Sequence, residues 1–242
     1  MAIAPPAIVT THTYYRSWAS NSAPVLLGCC DGALYVVKGH QKGRVLVNDH
    51  LVARLGELLS APVTAAALVD IPQALINIEP QVAHMPSGKS HGSKWIEDCT
   101  DRLTFEHAHL PENRHRFALL AILYSWAGCW SDHQFIYKKA LPHEVFSVDH
   151  GHFFPSGPDW TISGLQGAPP AVLDPVFNAC ALTPVELRSA GRSLKSVDLS
   201  DVSAIVNWIP TDWGLASDER AVMIDYLVRR HGQLLTALNV SP

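Results

Sequence analysis

The sequence predicts an α+β fold in which a small, strand-rich N-terminal lobe with one helix precedes a larger, mostly helical lobe. Three observations support this order. β-branched and aromatic segments fill residues 8–39, one amphipathic helical pattern covers 46–59, and helical patterns dominate after residue 113. We place the division between residues 1–87 and 88–242, and this length suits one domain with two lobes.

The N-terminal lobe contains a clear hairpin signal. Two apolar runs, Val25 to Cys30 and Ala33 to Lys38, flank Asp31-Gly32. An Asp-Gly pair between apolar runs is the strongest short-range indication of a β-hairpin. The alanine-rich stretch from Pro62 to Ile71 predicts a further strand after the helix.

The polar, glycine-bearing segment from Pro86 to Ser93 has two interpretations. It is not a Walker A motif, because Gly88-Lys89-Ser90 lacks the earlier glycine and opens no helix. We interpret it as a hinge between the lobes, against which a nucleotide base would stack. An ordinary loop explains the same composition equally well.

The C-terminal lobe begins near Trp95 and is mostly helical. Residues 113–126 are almost entirely apolar in their second half, which predicts a buried helix. A span rich in glycine and proline covers residues 163–175. Further helices are predicted at 175–180, 184–193, 200–208 and 217–238, the last starting with the capping pattern Ser217-Asp218-Glu219.

Composition excludes several classes of protein. Hydrophobic residues make up 48% and charged residues 17%, which indicates a globular chain, and the net charge of −4 predicts no nucleic-acid partner. No apolar run reaches the ~20 residues of a membrane span, and no basic segment suggests a signal peptide, so we expect a cytoplasmic protein. The 5 cysteines show no Cys-x-x-Cys spacing and the 13 histidines are scattered, so neither disulfides nor a zinc site is expected.

Two aspartates flank a short predicted hairpin in the C-terminal lobe. The strand Val145 to Val148 leads into Asp149-His150-Gly151, and Asp132 precedes the hairpin. One carboxylate can handle a hydroxyl proton while the other holds a metal ion on a phosphate, as in kinase-like phosphotransferases. Taken alone, Asp149 and Gly151 also suit a plain β-turn.

Lys38 ends an otherwise apolar strand and also has two interpretations. It is either a strand-end lysine that reaches solvent or a lysine held over the phosphates of ATP. In the helix that follows, Asn48 is interpreted as an N-terminal cap, whereas Asp49 could pair with Lys38.

Together these segments resemble the HipA-like kinases, relatives of the protein kinase and phosphatidylinositol kinase superfamily. The resemblance covers residues 25–160. Its pieces are the strand ending in Lys38, the helix segment Val47 to Gly56, the Gly88 to Ser93 segment, Asp132-His133, and Val148-Asp149-His150-Gly151.

The resemblance implies a bilobal, protein-kinase-like fold that binds ATP and Mg²⁺ and transfers a phosphoryl group to a hydroxyl of a protein or small molecule. It implies the following roles: Lys38 on the α- and β-phosphates, positioned by Asp49; Asp132 as catalytic residue; Asp149 and Gln134 on the metal; and Gly28, Gly32 and Met85 around the cofactor.

Two departures from the family pattern leave other functions open. His133 stands where the family has an arginine, and Tyr137 replaces a metal-binding asparagine. A pseudokinase that binds nucleotide or partners without catalysis is therefore the main alternative. In a third interpretation, His150 and His152 bind a metal ion together with Asp149, as in a hydrolase.

Overall fold

The N-terminal part is a closed sheet of five strands. The structure, a computed structural model, describes residues 3–20, 23–102, 105–129 and 133–240. The sheet order is β1-β2-β3-β5-β4, and β1 closes it by pairing parallel with β4 and antiparallel with β2. The strands are β1 (Ala7–Ser17), β2 (Val25–Cys29), β3 (Leu34–Lys38), β4 (Ala66–Ile71) and β5 (Gly88–Lys94).

The predicted hairpin is confirmed in β2 and β3. Gly32 has a φ of +78°, a conformation that glycine adopts without strain. The Asp31 carboxylate accepts hydrogen bonds from the Ala33 amide (3.0 Å) and the Tyr35 hydroxyl (2.8 Å). These contacts fix the turn and the register, so that Lys38 lies at the opposite end of the hairpin from Gly32.

The predicted helix is α1 (Arg44–Leu59), and it packs away from the interior of the closed sheet. Its apolar residues, including Leu46 and Leu51, join a large core with the C-terminal helices. A separate, smaller core fills the sheet. A second short helix, α2 (Gln73–Ile78), follows β4, so the prediction of one helix in this part is incomplete.

The interpretation of Gly88 to Ser93 as a hinge or loop is wrong, because this segment is strand β5 in the middle of the sheet. It pairs with β3 and β4, and His91 lies opposite Lys38. Gly92 is required there, because a Cβ would lie 2.4 Å from Cγ2 of Val69. The segment is polar and lacks β-branched residues, so its composition did not indicate a strand. Since it completes the first sheet, β5 favours a lobe boundary after Lys94; the division at 87/88 stays a prediction.

The C-terminal part surrounds the buried helix α3 (Pro111–Ala127), which confirms the helix predicted at 113–126. A three-stranded antiparallel sheet lies beside it, with the order β6-β7-β8. The remaining elements are β6 (Cys99–Arg102), β7 (Phe135–Lys138), β8 (Val145–Ser147), α4 (Ile162–Gln166), a 3-10 helix at Pro175–Cys180, α5 (Pro184–Lys195), α6 (Leu199–Asn207) and α7 (Ser217–Ala237).

Two further expectations concern the whole chain. The five cysteines, all of them among the described residues, form no disulfide. Among the described residues, every helix is too short or too polar to cross a membrane. A cytoplasmic location stays a prediction.

Asn48 joins α1 to the loop after β8. Its side-chain amide donates to the carbonyl oxygens of Gly151 (2.9 Å) and Phe153 (3.0 Å), and its oxygen accepts from Nε1 of Trp160 (3.0 Å). The interpretation of Asn48 as a helix cap is wrong, because α1 begins at Arg44 and Asn48 is fully buried. Its hydrogen bonds instead hold the loop against the helix.

We expect Asn48→Ala to lower the free energy of unfolding by about 3 kcal/mol, since it leaves the Trp160 indole N–H and two carbonyl groups buried without partners. Urea unfolding monitored by tryptophan fluorescence measures this loss. Asn77→Ala, at an exposed position of α2, is the matched control and should change stability by less than about 0.5 kcal/mol. Equal effects of the two substitutions would contradict this role of Asn48.

Candidate active site

Lys38 lies between two carboxylates that come from distant parts of the chain. Its Nζ donates to Oδ2 of Asp49 in α1 at 2.7 Å and forms an ion pair with Oδ1 of Asp149 after β8. The side chains of Lys38 and Asp49 are only 7% and 3% exposed, whereas that of Asp149 is 37% exposed. The structure thus brings together three of the predicted site residues, with Asp149 facing the open side.

Asp49 also holds the loop that carries Asp149. Its Oδ1 accepts a hydrogen bond of 2.8 Å from the backbone N–H of His150. Asp149 has a φ of +58°, which places it in the left-handed region that Asp tolerates better than most residues. The sharp turn therefore points the Asp149 side chain toward Lys38 while its neighbour His150 is buried.

The ion pairs decide the protonation states of the buried groups. Burial acts to lower the pKa of Lys38, but Asp49 and Asp149 outweigh it, so this pKa lies above its ordinary value. Burial acts to raise the pKa of Asp49, but the Lys38 charge, the hydrogen bond from His150 and the neighbouring His91 together outweigh it and hold this pKa well below its usual range. Both groups are therefore charged at neutral pH. The stability that Asp49 contributes is present above its unfolded pKa, ~3.9, and is lost as pH falls through the lower folded value.

A chain of hydrogen bonds connects the loop that carries Asp149 and His150 to helix α3. Nε2 of His150 bonds the Ser147 hydroxyl at 2.8 Å, and this hydroxyl bonds the Tyr124 hydroxyl of α3 at 2.5 Å. Nδ1 of His150 is buried and has no hydrogen-bond partner; it lies 3.6 Å from Oδ1 of Asp49. The interpretation of His150 and His152 as ligands of one metal ion is therefore wrong, because His150 points into the core while His152 is exposed.

Asp132 lies outside the described residues, so its predicted catalytic role stays a prediction. Gln134 is described, and its carbonyl oxygen accepts from the N–H of Val148 at 3.2 Å. This pairing sets the Gln134 backbone beside the residue before Asp149. Its proposed contact with a metal ion also stays a prediction.

The predicted cofactor residues are Gly28, Gly32 and Met85, and the two glycines lie apart from the Lys38 cluster. Gly28 pairs with Leu34, four residues along β3 from Lys38 and thus roughly 13 Å away. Met85 is 2% exposed and packs in the core of the closed sheet, so its side chain offers almost no surface to a ligand. The last residue of β1, Ser17, and the first residue of β2, Val25, instead lie at the Lys38 end of the sheet, because Ser17 pairs with Val25 and Val25 with Val37.

Two buried histidines beside the cluster were not found by sequence reasoning. Nδ1 of His50 and Nδ1 of His91 are 3.1 Å apart, so one donates and the other accepts. Burial lowers the pKa of His91 to about 4, with Lys38 contributing and Asp49 opposing. Burial and the facing His91 hold the pKa of His50 well below its ordinary value. The pair is therefore neutral at physiological pH, and only its contact across α1 and β5 could have indicated it.

Comparison with known proteins finds a family whose sequence model matches part of this chain. Residues 12–123 match the sequence model of the family described as HipA-like kinase. The predicted resemblance is confirmed. The match includes Lys38 and Asp49 and ends before Asp149, which the structure brings to the same place. No curated protein matches the chain.

The fold is kinase-like, with mixed α and β structure and an N-terminal sheet. The crystal structure of the Helicobacter pylori proinflammatory kinase CtkA superposes with a TM-score of 0.64 at 12% identity, over 97% of each chain. Two weaker matches support no inference. They are a Golgi casein kinase with Mn/ADP bound (TM-score 0.45, 8% identity, 98% of this chain and 74% of that one) and the Shewanella oneidensis MR-1 HipA, HipB and operator DNA complex (0.44, 8%, 98% and 66%).

The buried pair of Lys38 and Asp49 should behave as a coupled unit. We expect Lys38→Met and Asp49→Asn each to lower the free energy of unfolding by about 3–5 kcal/mol, because each leaves a buried charge without its partner. The double variant should lose less than the sum of the two. Urea unfolding of the four proteins measures the coupling. Lys89→Met, at an exposed position of β5, is the control, and additive losses would contradict a direct Lys38–Asp49 interaction.

The buried histidines should make stability fall with acid. Because His91 has a folded pKa of about 4 and an unfolded pKa of ~6.5, the unfolded chain binds more protons between these values. Stability should fall as pH drops from 6.5 to 4, with His91 contributing on the order of 3 kcal/mol. Denaturant unfolding at several pH values across this range measures how steeply the free energy of unfolding depends on pH.

The free energy of unfolding should depend less steeply on pH in His91→Gln than in the parent chain, since glutamine does not titrate. His109→Gln, at an exposed site, should keep the parent slope. An unchanged slope in His91→Gln would show that His91 is not a buried neutral group.

Proposed function

We propose that this chain is an ATP-dependent phosphotransferase that moves the γ-phosphoryl group of ATP to a hydroxyl of a protein or small molecule. The convergence of Lys38, Asp49 and Asp149 is the observation that supports it most. A buried amine that is held by one buried carboxylate and paired with a second, partly exposed carboxylate suits a nucleoside triphosphate and its metal ion. In this proposal the closed sheet forms the small lobe, the helical part forms the large lobe, and ATP lies between them.

Lys38 would bind the α- and β-phosphates while Asp49 keeps its ammonium group in place. Asp49 is almost fully buried and bonded to the His150 N–H, so it is already fixed. Lys38 therefore needs to exchange only one partner, Asp149, for phosphate oxygens. A positively charged group held before the substrate arrives needs little reorganisation, which is how electrostatic stabilisation lowers a barrier.

The exposed carboxylate of Asp149 fits a magnesium ion. Oxygen donors are the ligands that Mg²⁺ prefers, and this side chain is 37% exposed, so it can be reached together with a metal-bound phosphate. The bound ion would neutralise charge on the phosphate oxygens. Gln134 is proposed as a second oxygen donor, because its backbone is paired beside the Asp149 turn.

In the transfer step, the acceptor oxygen forms a new bond to the γ-phosphorus while the bond to the β,γ-bridging oxygen of ATP breaks, and ADP leaves. The acceptor hydroxyl proton passes to a carboxylate, for which we propose Asp132. Little covalent chemistry is required of the protein beyond positioning and charge neutralisation. Lys38 and Asp49 on ATP, Asp149 and Gln134 on the metal ion, and Asp132 on the acceptor are the five residues that we propose for the reaction.

A pseudokinase remains the second candidate because of Tyr137. This residue stands where the family pattern has a metal-binding asparagine, and it is fully buried in β7. Tyr137 therefore offers no ligand atom to the cleft. In that case the chain would bind nucleotide, or a protein partner, without transferring phosphate.

We expect Asp149→Asn to reduce phosphoryl transfer at least about 100-fold, because it removes the charge that faces the phosphates and their metal ion. Transfer from radiolabelled ATP with Mg²⁺, to the chain itself and to a panel of hydroxyl acceptors, measures the rate. The exposed Asp159 provides the matched variant Asp159→Asn, which should retain parental transfer.

Thermal unfolding with and without ATP and Mg²⁺ separates the two candidates, since a ligand that binds the folded state raises the unfolding temperature. A shift accompanied by transfer supports the kinase. A shift without transfer to any acceptor identifies the pseudokinase. Equal transfer by Asp149→Asn and the parent chain would rule out this assignment of the site.

A further inference from the structure

Cys129, His133 and Asp174 form a cluster of metal-binding side chains on the far side of Tyr124 from the Lys38 site. One ligand atom from each lies within 4.8 Å of the other two. Nε2 of His133 and Oδ2 of Asp174 are 2.7 Å apart. The three residues are half-buried, and the side chains of His133 and Asp174 are 12% and 9% exposed.

The spacing of these atoms suits a tetrahedral ion. With bonds of ~2.3 Å to sulfur and ~2.0 Å to nitrogen or oxygen, neighbouring ligands of zinc lie roughly 3.3–3.6 Å apart. The observed separations, from 2.7 Å to at most 4.8 Å, bracket this range. Small side-chain rotations would therefore bring all three donors onto one ion, which would replace the His133–Asp174 hydrogen bond.

Asp174 is held in place by contacts other than its bond to His133. Its backbone N–H donates to the Ser125 hydroxyl at 2.9 Å, and its Oδ1 accepts from the N–H of Val176 at 3.0 Å. Oδ2 is thus the atom left to face His133. Such hydrogen bonds around a ligand fix its orientation, as is usual in metal sites.

Cys129 and His133 are also positioned by α3 and its surroundings. The backbone N–H of Cys129 donates to the carbonyl of Tyr124 at 2.9 Å. The His133 ring lies beside the Tyr124 ring, with centroids 5.1 Å apart, and near the Phe177 ring at 5.9 Å. The end of one helix therefore orders both donors.

We propose that Cys129, His133 and Asp174 bind a zinc-class divalent ion, with a fourth position open to water or another ligand. A thiolate, an imidazole and a carboxylate together favour zinc over the hard ions Mg²⁺ and Ca²⁺. The site is separate from the Mg²⁺ site proposed at Asp149. The zinc site was not expected from the sequence, because Asp174 comes from a distant segment and the cysteines lack a paired spacing.

Cobalt(II) titration of the full chain, purified reduced and without a histidine tag, tests the proposal. Co²⁺ bound to a thiolate shows a near-ultraviolet charge-transfer band, and tetrahedral Co²⁺ shows strong visible bands. We expect both to saturate at one equivalent, to be displaced by Zn²⁺, and to survive excess Mg²⁺. Binding should weaken as pH falls, because the thiol and imidazole must lose protons.

Cys129→Ser should abolish the charge-transfer band, whereas Cys99→Ser, at another half-buried cysteine, should keep it. Asp174→Asn can still accept from the Val176 N–H, so it should fold normally, keep the band and bind at least about tenfold more weakly. Circular dichroism checks the fold of each variant. A band that persists in Cys129→Ser, equal affinity in Asp174→Asn, or no band in the folded parent chain would overturn the proposal.

Discussion

The buried ammonium group of Lys38 is the constraint on which the rest of the site depends. A charge removed from water is tolerated only when opposite charges and hydrogen bonds replace the solvent. Asp49 and Asp149 provide that replacement from α1 and from the loop after β8. One lysine thus connects the closed sheet, its neighbouring helix and the C-terminal hairpin, and in the proposed function the exposed Asp149 is the partner that a phosphate would displace.

The residues that make this ion-pair cluster could be predicted from the sequence because each sits in a short, ordered pattern. Lys38 ends an apolar strand, Asp49 lies in the helix that follows, and Asp149 lies in an Asp-His-Gly turn. Their order along the chain matched the HipA-like kinases, and the family match over residues 12–123 agrees. Local patterns were sufficient here because strand, helix and turn each fix where one side chain points.

The features that the sequence did not predict depend on packing between distant segments. β5 looks like a loop because it is polar, yet its neighbours leave no room for a Cβ at Gly92. Asn48 looks like a helix cap, but its amide bonds a loop more than 100 residues later. The His50–His91 pair likewise joins distant segments, and so does the contact of Asp174 with His133.

The two proposed sites are joined by a continuous set of contacts through Tyr124. Its ring lies beside His133, and its hydroxyl bonds Ser147, which bonds His150, whose N–H is held by Asp49. An ion that moved His133 off Asp174 would therefore act on a side chain two contacts from the Asp149 loop. Coupling through such a chain requires that the loop have two arrangements of similar free energy. In the proposed function, release of Asp149 from Lys38 would give the loop its second arrangement, and the contacts through Tyr124 would connect that change to His133.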